Sequence, residues 1–399
     1  MPWRESSPMS ERLEFVQACL DRREKIAEIC ARFAISEKTG HKWLARFRAG
    51  GEAALADRPH AVHHAAHPLE ASMAAEIVAL RRKHPLYGPV KLRDWLVQHE
   101  PGRPWPASST IGELLKRAGC IRSRRRQRPA DHARFASGRT EATAPNVVWT
   151  ADFKGQFRLG TGAYCYPLTV LDLSSHFLLQ CAALATTAVA SARQSFVRLF
   201  AEYGLPEVLR TDNGVPFAQA NAIGRLGALA FWWVRLGIRP EHTRPATPSE
   251  NGAHERFHKT LKAHAIRPSA ASLRAQQRRF DRFRAEYNTE RPHASTAAHC
   301  PPARAYCTSP RPYPAKVPPL LYPTSSAVRL VDGGGVIKCQ NQAIFLSSNL
   351  AGQYVALTES TDDERLRISY GALILGDFDP VTKRFTPNVR WDGALTPGR

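Results

Sequence analysis

Apolar residues recur at helical spacing through the first fifty positions and give way, from Val147 onward, to short runs that read as strands. Ile26, Ile29, Cys30 and Phe33 form one helical stripe, and Trp43, Leu44 and Phe47 form another. Ser10 is placed to cap a first helix running through Leu20 and Ser36 to cap the third; the turn Ala34-Ile35-Ser36 between the last two gives a helix-turn-helix. Residues 51–70, rich in Ala, His, Gly and Pro, read as a linker. Three more helices are expected: 71–83, 89–99 with Pro in its first turn, and 109–118 with Ser109 as cap.

Strand-like runs at 147–157, 164–172 and 177–184, with turn residues between them, predict a three-stranded meander. After it come an amphipathic helix at 187–203, a buried strand at 208–211, an apolar helix at 226–236, a strand at 238–242 and a helix at 249–265. Strands first, then helix and strand in alternation, predict a mixed α/β sheet covered by helices. A basic helix at 272–287 and a Pro-rich linker at 301–323 follow. In the tail, short strands at 327–331, 336–339, 343–346, 354–358, 366–369 and 372–378 predict a small β-barrel. The chain is therefore multidomain, with helix-turn-helix modules at 1–58 and 68–128, a basic linker at 129–144, a central domain at 145–300 and the β domain at 324–385.

Charge changes this picture from a fold to a partner. The 399 residues carry a formal net charge of +21, more than solubility requires, and a polyanion is the natural counterpart. No apolar run is long enough to cross a bilayer, so double-stranded DNA is favoured over a membrane surface. Lys38, His41, Lys42, Arg46 and Arg48 stand opposite the apolar stripe of the third helix, the chemistry of a helix that enters a major groove. Five of the seven residues from Arg122 to Arg128 are arginine (Arg122, Arg124, Arg125, Arg126 and Arg128), a density suited to gripping phosphate. The N-terminal stretch has no signal-like apolar segment, so a cytoplasmic location is expected. Eight cysteines without a CxxC pattern argue against a disulfide framework or a zinc site, and His60, His63, His64 and His67 lie in the linker without partner cysteines.

Three acids carry the candidate chemistry. Asp152 interrupts an apolar run in VVWTADFKG, Asp212 ends another in VLRTDNG, and Glu255 lies early in a helix in TPSENGAHERFHK. Phosphodiester transfer needs a nucleophilic oxygen, stabilisation of the leaving oxygen and charge neutralisation at phosphorus. Two hard cations roughly 3.5–4 Å apart, held by carboxylates, supply all three. Asp152 fits a bridging role and Asp212 the completion of one ion's shell. An Asp-Asn-Gly sequence is also a turn in its own right. A carboxylate buried in an apolar strand is harder to explain without a partner.

WTADF, RTDNG and NGAHERFHKTLK resemble the three acidic motifs of DDE transposases and retroviral-type integrases, in the bacterial insertion-sequence branch with an integrase core. The resemblance extends to YNTERPH at 287–293 and the PPARAY that follows. It implies an RNase H-like catalytic core and Mg²⁺ or Mn²⁺ as cofactor, two ions per site, held by Asp152, Asp212 and Glu255. It further implies binding of terminal inverted repeats, 3′-end cleavage, strand transfer, and a homo-oligomer on DNA at the bacterial nucleoid. Glu250 competes for the third carboxylate: the family's usual spacing lies nearer the 37 residues between Asp212 and Glu250 than the 42 before Glu255. The Asn251-Gly252 pair three residues before Glu255 and the Arg256-Phe257 after it favour Glu255. His258, Lys259 and Lys262 follow at i+3, i+4 and i+7, and the resemblance implies that such a face holds the reacting DNA end.

Two other functions fit the same residues. A DNA-binding regulator with an inactive core would lack a carboxylate, and a structure-selective nuclease would have less use for two appended DNA-reading modules.

Overall fold

The computed structural model describes residues 7–57, 69–121, 139–243, 252–296, 299–359 and 365–393. The chain divides into two compact units, residues 1–69 and 70–399.

The first unit is a three-helix module of α1 (Pro8–Leu20), α2 (Ile26–Arg32) and α3 (Glu37–Gly50) around Phe15, Val16, Ile29, Cys30 and Leu55. The cap of α1 is Ser7 rather than Ser10. Pro8 fits the first helical position, and Ser10 closes a capping box in which its hydroxyl accepts from the Ser7 amide at 2.9 Å while Ser7 Oγ accepts from the Ser10 amide at 3.1 Å. Ser36 caps α3 as the sequence indicates, accepting from the Thr39 amide at 3.3 Å. Gly40 sits where α3 crosses the other two helices: a Cβ there would lie 2.5 Å from Cys30 Sγ and 2.9 Å from Phe15 Cζ. Gly40→Ala is therefore expected to destabilise this unit by about 1–3 kcal/mol through overpacking, although alanine is the better helix former. A thermal melt that left the unit at least as stable would contradict the packing.

The second unit opens with α4 (Ala71–Lys83), α5 (Pro89–His99) and α6 (Ser108–Arg117), packed through Met73, Ile77, Leu80, Leu92, Leu96, Ile111 and Leu115. No side chain caps α6, whose N-cap is Ala107.

The central domain follows with β1 (Val148–Phe153), β2 (Phe157–Arg158), β3 (Tyr164–Asp172), β4 (Leu178–Leu184), α7 (Val189–Tyr203), β5 (Val208–Thr211), α8 (Ala228–Arg235), β6 (Arg239–His242), α9 (Gly252–Leu261), α10 (Leu273–Thr289) and α11 (Pro302–Ala305). Its sheet runs β2-β3-β1-β5-β6, with β4 also on β3. The β1-β3-β4 pairs are antiparallel, whereas β5 and β6 continue from β1 in parallel. The expected mixed sheet is present. Strand alternation divides its faces: Trp149, Ala151, Leu168 and Val170 pack under α7 and α8, whereas Cys165 and Leu171 pack with Phe257 of α9 and Phe280 and Phe283 of α10. Each fully buried side chain of this size contributes roughly 1.5–3 kcal/mol.

The YNTERPH segment joins the second helical module to this domain. Asn288 pairs with both backbone groups of Leu178, accepting at 2.8 Å and donating at 3.0 Å. The Arg291 guanidinium lies over the Tyr87 and Tyr287 rings, and Lys91 donates to the Pro292 carbonyl at 2.8 Å. The segment is thus a dock.

The Pro-rich stretch lies along the domain surface. Arg311 donates to the carbonyls of Pro206, Leu236 and Gly237, and the Tyr306 ring stacks on Phe177 with centroids 4.3 Å apart.

Beyond it lie β7 (Ala327–Leu330), β8 (Val336–Cys339), β9 (Gln342–Phe345), β10 (Tyr354–Glu359), β11 (Leu366–Tyr370), β12 (Leu373–Asp379) and β13 (Arg384–Trp391). The expected barrel does not close. Among the described residues β13-β12-β11-β10-β7 form an open antiparallel sheet, with β8-β9 a separate hairpin. The apolar face finds its second layer outside itself: Ile368, Tyr370, Leu373 and Leu375 share one core with Phe231, Trp232 and Trp233 of α8, and Phe231 meets the Tyr370 ring edge to face at 5.6 Å. Helix α8 covers the face that closure would have covered.

Candidate active site

Two strand ends form the site's floor. In the parallel β1-β5 pair Ala151 stands opposite Thr211, so the next residues, Asp152 and Asp212, leave adjacent strands at the same carboxyl edge. That edge is where open α/β sheets bind ligands. Asp152 pairs with Thr169 on the other side, in the β1-β3 ladder.

The turn after β5 is fixed by its own side chains. Asp212 Oδ1 accepts from the Gly214 amide at 3.1 Å, and Asn213 donates to the Thr243 carbonyl just past β6. A Cβ on Gly214 would lie 3.0 Å from Asp212 Oδ2. The turn chemistry and a catalytic use of Asp212 are therefore compatible: one oxygen anchors the turn and the other is held in place by it.

Helix α9 is docked on the face of β1 that carries Thr150 and Asp152. His254 Nδ1 and Thr150 Oγ1 are 3.0 Å apart, and His258 Nε2 lies 3.0 Å from Thr169 Oγ1. Thr169 also donates to the Asp152 carbonyl at 3.0 Å. A hydroxyl has one proton, so Nε2 of His258 is the donor to Thr169 and its Nδ1 turns a lone pair toward Asp152 Oδ2, 3.9 Å away. Burial pushes the His258 imidazole down to about 2, with the nearby His254 and the positive charge of Lys154 disfavouring its protonation further, and burial takes His254 down to about 3. Both rings are neutral wedges between helix and sheet.

Glu255 and Lys259 are exposed on α9, as is Lys262 in the π-helical turn that follows it. His258 does not share their exposure, because it faces the sheet. No ion pair links Glu255 to Lys259 among the described residues. Glu250, Asn251 and the arginines Arg122, Arg124, Arg125, Arg126 and Arg128 lie outside the described residues, as do His60, His63, His64 and His67.

Other acids nearby are committed to structure. Buried Asp172 accepts from the Asn146 amide, the Ser175 amide and the Ser175 hydroxyl. Glu241 takes two donors from Arg210, at 2.9 and 3.1 Å, and the Thr140 hydroxyl at 2.6 Å. Among the described residues no three His, Cys, Asp or Glu side chains are gathered into a group that could hold a metal ion. Asp152 and Asp212 lie at one sheet edge, and Glu255 is an exposed carboxylate on the helix docked on β1.

On α3, Lys38, His41, Lys42 and Arg48 are exposed. Arg46 is half-buried, its guanidinium 4.9 Å from the Trp43 ring centroid, with Arg12 at 4.1 Å and Lys42 at 5.1 Å from the same ring. The sequence shows the basic face but not the tryptophan that organises it, nor the roles of His254, Thr150 and Thr169. The i, i+4 spacing of His254 and His258 was the available signal.

Residues 142–248 match the integrase core domain model, and residues 236–301 match a second integrase core domain model. Residues 11–61 match a helix-turn-helix domain and 39–115 a homeodomain-like domain. In its integrase core and helix-turn-helix matches the chain is similar to DDE transposases and retroviral-type integrases. The chain is similar to the Gag-Pol polyprotein of baboon endogenous virus (strain M7), 27% identical over 128 residues, and to the Pol polyprotein of feline endogenous virus ECE1, 27% identical over 125 residues. These stretches are 32% and 31% of this chain but 7% and 11% of the polyproteins, so the chain spans a small fraction of these relatives' length. Among solved structures, the HTLV-2 integrase catalytic core in complex with magnesium is 13% identical, covering 41% of this chain and 99% of that one at a TM-score of 0.33. The simian T-cell lymphotropic virus intasome in complex with PP2A regulatory subunit B56 gamma is 17% identical, covering 72% and 93% at a TM-score of 0.35. Integrase core domains use divalent metal ions. No described helix is long and apolar enough to cross a membrane.

Proposed function

We propose that this protein is a DNA transposase that binds the terminal inverted repeats of its own element, cleaves their 3′ ends and joins them to target DNA. The observation that carries the reading is the placement of Asp152 and Asp212 on neighbouring parallel strand ends beneath the helix that bears Glu255. Asp152, Asp212 and Glu255 would hold the two Mg²⁺ or Mn²⁺ ions, which when bound would supply charge neutralisation at phosphorus and an activated oxygen nucleophile. Asp152 would be a metal ligand, fixed by its pairing with Thr169 of β3. Asp212 is aimed by its turn, and Glu255 is exposed on α9, the helix docked on β1.

The remaining residues handle the DNA. Lys259 and Lys262 hold the reacting end beside the carboxylates, and the exposed face of α3, with Lys38, His41, Lys42 and Arg46, reads the repeat. The arginines from Arg122 to Arg128 grip phosphate between the helical modules and the core. His258 belongs with Asp152 rather than with DNA, since its ring faces Thr169. Because two ends must be joined, the working form is a homo-oligomer assembled on DNA at the nucleoid of a bacterial cell.

The test is incubation of the protein with duplexes taken from the flanks of its gene and a plasmid target, in Mg²⁺ or Mn²⁺. Nicked 3′ ends and joined products are expected. End binding without nicking in either metal would leave a DNA-binding regulator as the better description.

A further inference from the structure

Helix α10 carries a row of arginines that none of the assigned chemistry uses. Its buried stripe is Gln276, Phe280, Phe283 and Tyr287, packed against the catalytic sheet. At 100° per residue, Arg274, Arg278 and Arg282 lie about opposite that stripe, stepping roughly 6 Å along the axis at each i, i+4 interval. All three are exposed.

The neighbouring polar groups are already engaged. Arg279 donates to the Pro268 carbonyl and Arg284 to the Leu179 carbonyl at 2.8 Å, so the flanking arginines serve the fold. Asp281, the acid closest to the row, accepts from Gln277 Nε2 at 2.8 Å. Among the described residues none of Arg274, Arg278 and Arg282 has an acidic partner. Like charges at i, i+4 repel and lower helix stability. Three in succession give two such repulsive pairs on one exposed face.

The row also lies in the right layer. Helices α9 and α10 cover the same face of the sheet, with Phe257 and Leu261 of one packed with Phe280 and Phe283 of the other. The outer surface of this layer therefore carries Glu255, Lys259 and Lys262 on its α9 side and the arginine row on its α10 side.

We infer that the exposed face of α10 binds the phosphate backbone of target DNA, holding the duplex that receives the element end beside the catalytic helix. This rests on the transposase reading. Target DNA is the occupant because the element end is assigned to α3, Lys259 and Lys262, while beside the row Ala275 and Ala285 offer no polar group and Gln277 is spent on the Ala183 amide, the Cys181 carbonyl and Asp281; guanidinium contacts to phosphate position a duplex without reading its sequence.

The experiment compares the full-length protein with the triple variant Arg274→Gln/Arg278→Gln/Arg282→Gln, and with the Arg→Lys triple at the same positions. Binding to a random-sequence duplex is measured across a salt series. Each lost phosphate contact lowers the slope of log affinity against log salt by about 0.9, so the Gln triple is expected to lower it by about 2–3 while the Lys triple keeps it. Strand transfer into plasmid should fall with the slope, and 3′ nicking of an end duplex should stay. An unchanged slope overturns the inference, whether the row proves to be solvated or, if sedimentation shows a smaller assembly for the Gln triple, a contact between copies of the chain. Absence of nicking in the unsubstituted protein would instead overturn the transposase reading.

Discussion

Asp152→Asn should leave a protein that folds and binds DNA but joins ends at least about a hundred- to a thousandfold more slowly, the range seen when one charge-stabilising group is removed from a preorganised site. Asparagine keeps the volume of aspartate and can sit in the same β1-β3 ladder opposite Thr169, so the change removes charge and little else. Asp212→Asn should behave alike, because an asparagine oxygen can still accept from the Gly214 amide and keep the turn. Glu255→Gln is the sharpest of the three. Glu255 is exposed and engages no described partner, so its loss should abolish joining without moving the melting temperature. Glu250→Gln is the control, expected to retain activity. The measurement is a strand-transfer gel beside a thermal melt for each variant. Activity lost in Glu250→Gln but kept in Glu255→Gln would transfer the third carboxylate to Glu250 and move the active edge to the segment before α9.

The helix-turn-helix and most strands were legible because each is a local pattern. The Thr211-Asp212 strand end, the Ser36 cap and the limits of α4 and α5 follow from neighbouring residues alone. What was not legible depends on partners distant in the chain. Strand β13 was missed because Pro387 lies in its middle, which argues against a central strand. It is an edge strand, Pro387 stands opposite Gly376, and the pairing is irregular between Ile374 and Gly376, so the missing amide costs little. The barrel was predicted from the spacing of short strands, which cannot show that α8 already covers their apolar face. His258 illustrates the same limit at the site. Helical spacing puts it near Lys259, but a difference of one position turns it from solvent to the sheet, where Thr169 receives it.

Arg210 and Glu241 make the second large effect, and they show how the fold holds the edge that carries Asp212. They face each other in the parallel β5-β6 register, their side chains 10% and 9% exposed and 2.9 Å apart. Removing one partner of a buried pair strands the other charge, so Glu241→Ala is expected to cost about 3–5 kcal/mol. Burial is the largest influence on the Glu241 carboxyl and pushes its pKa up. The hydrogen bonds from Thr140 and Arg210, with the attraction of the guanidinium, outweigh it and hold the group below the usual glutamate range. A carboxylate with a depressed folded pKa stabilises the protein fully above its unfolded value, about 4.3, and loses that contribution as pH falls through the folded one. The stability gap between the native protein and Glu241→Gln should therefore be full near neutrality and narrow below about pH 4. Denaturant melts at several pH values would show it, and a gap constant down to pH 3 would refute the assignment. The consequence reaches the site through β5: Arg210 is two residues from Asp212, and Asn213 is tied to Thr243 just beyond β6. Loosening the β5-β6 pair frees the turn that aims Asp212. Joining activity in Glu241→Gln should accordingly fall further than the folded fraction does, whereas a substitution that merely lowered stability would reduce both together.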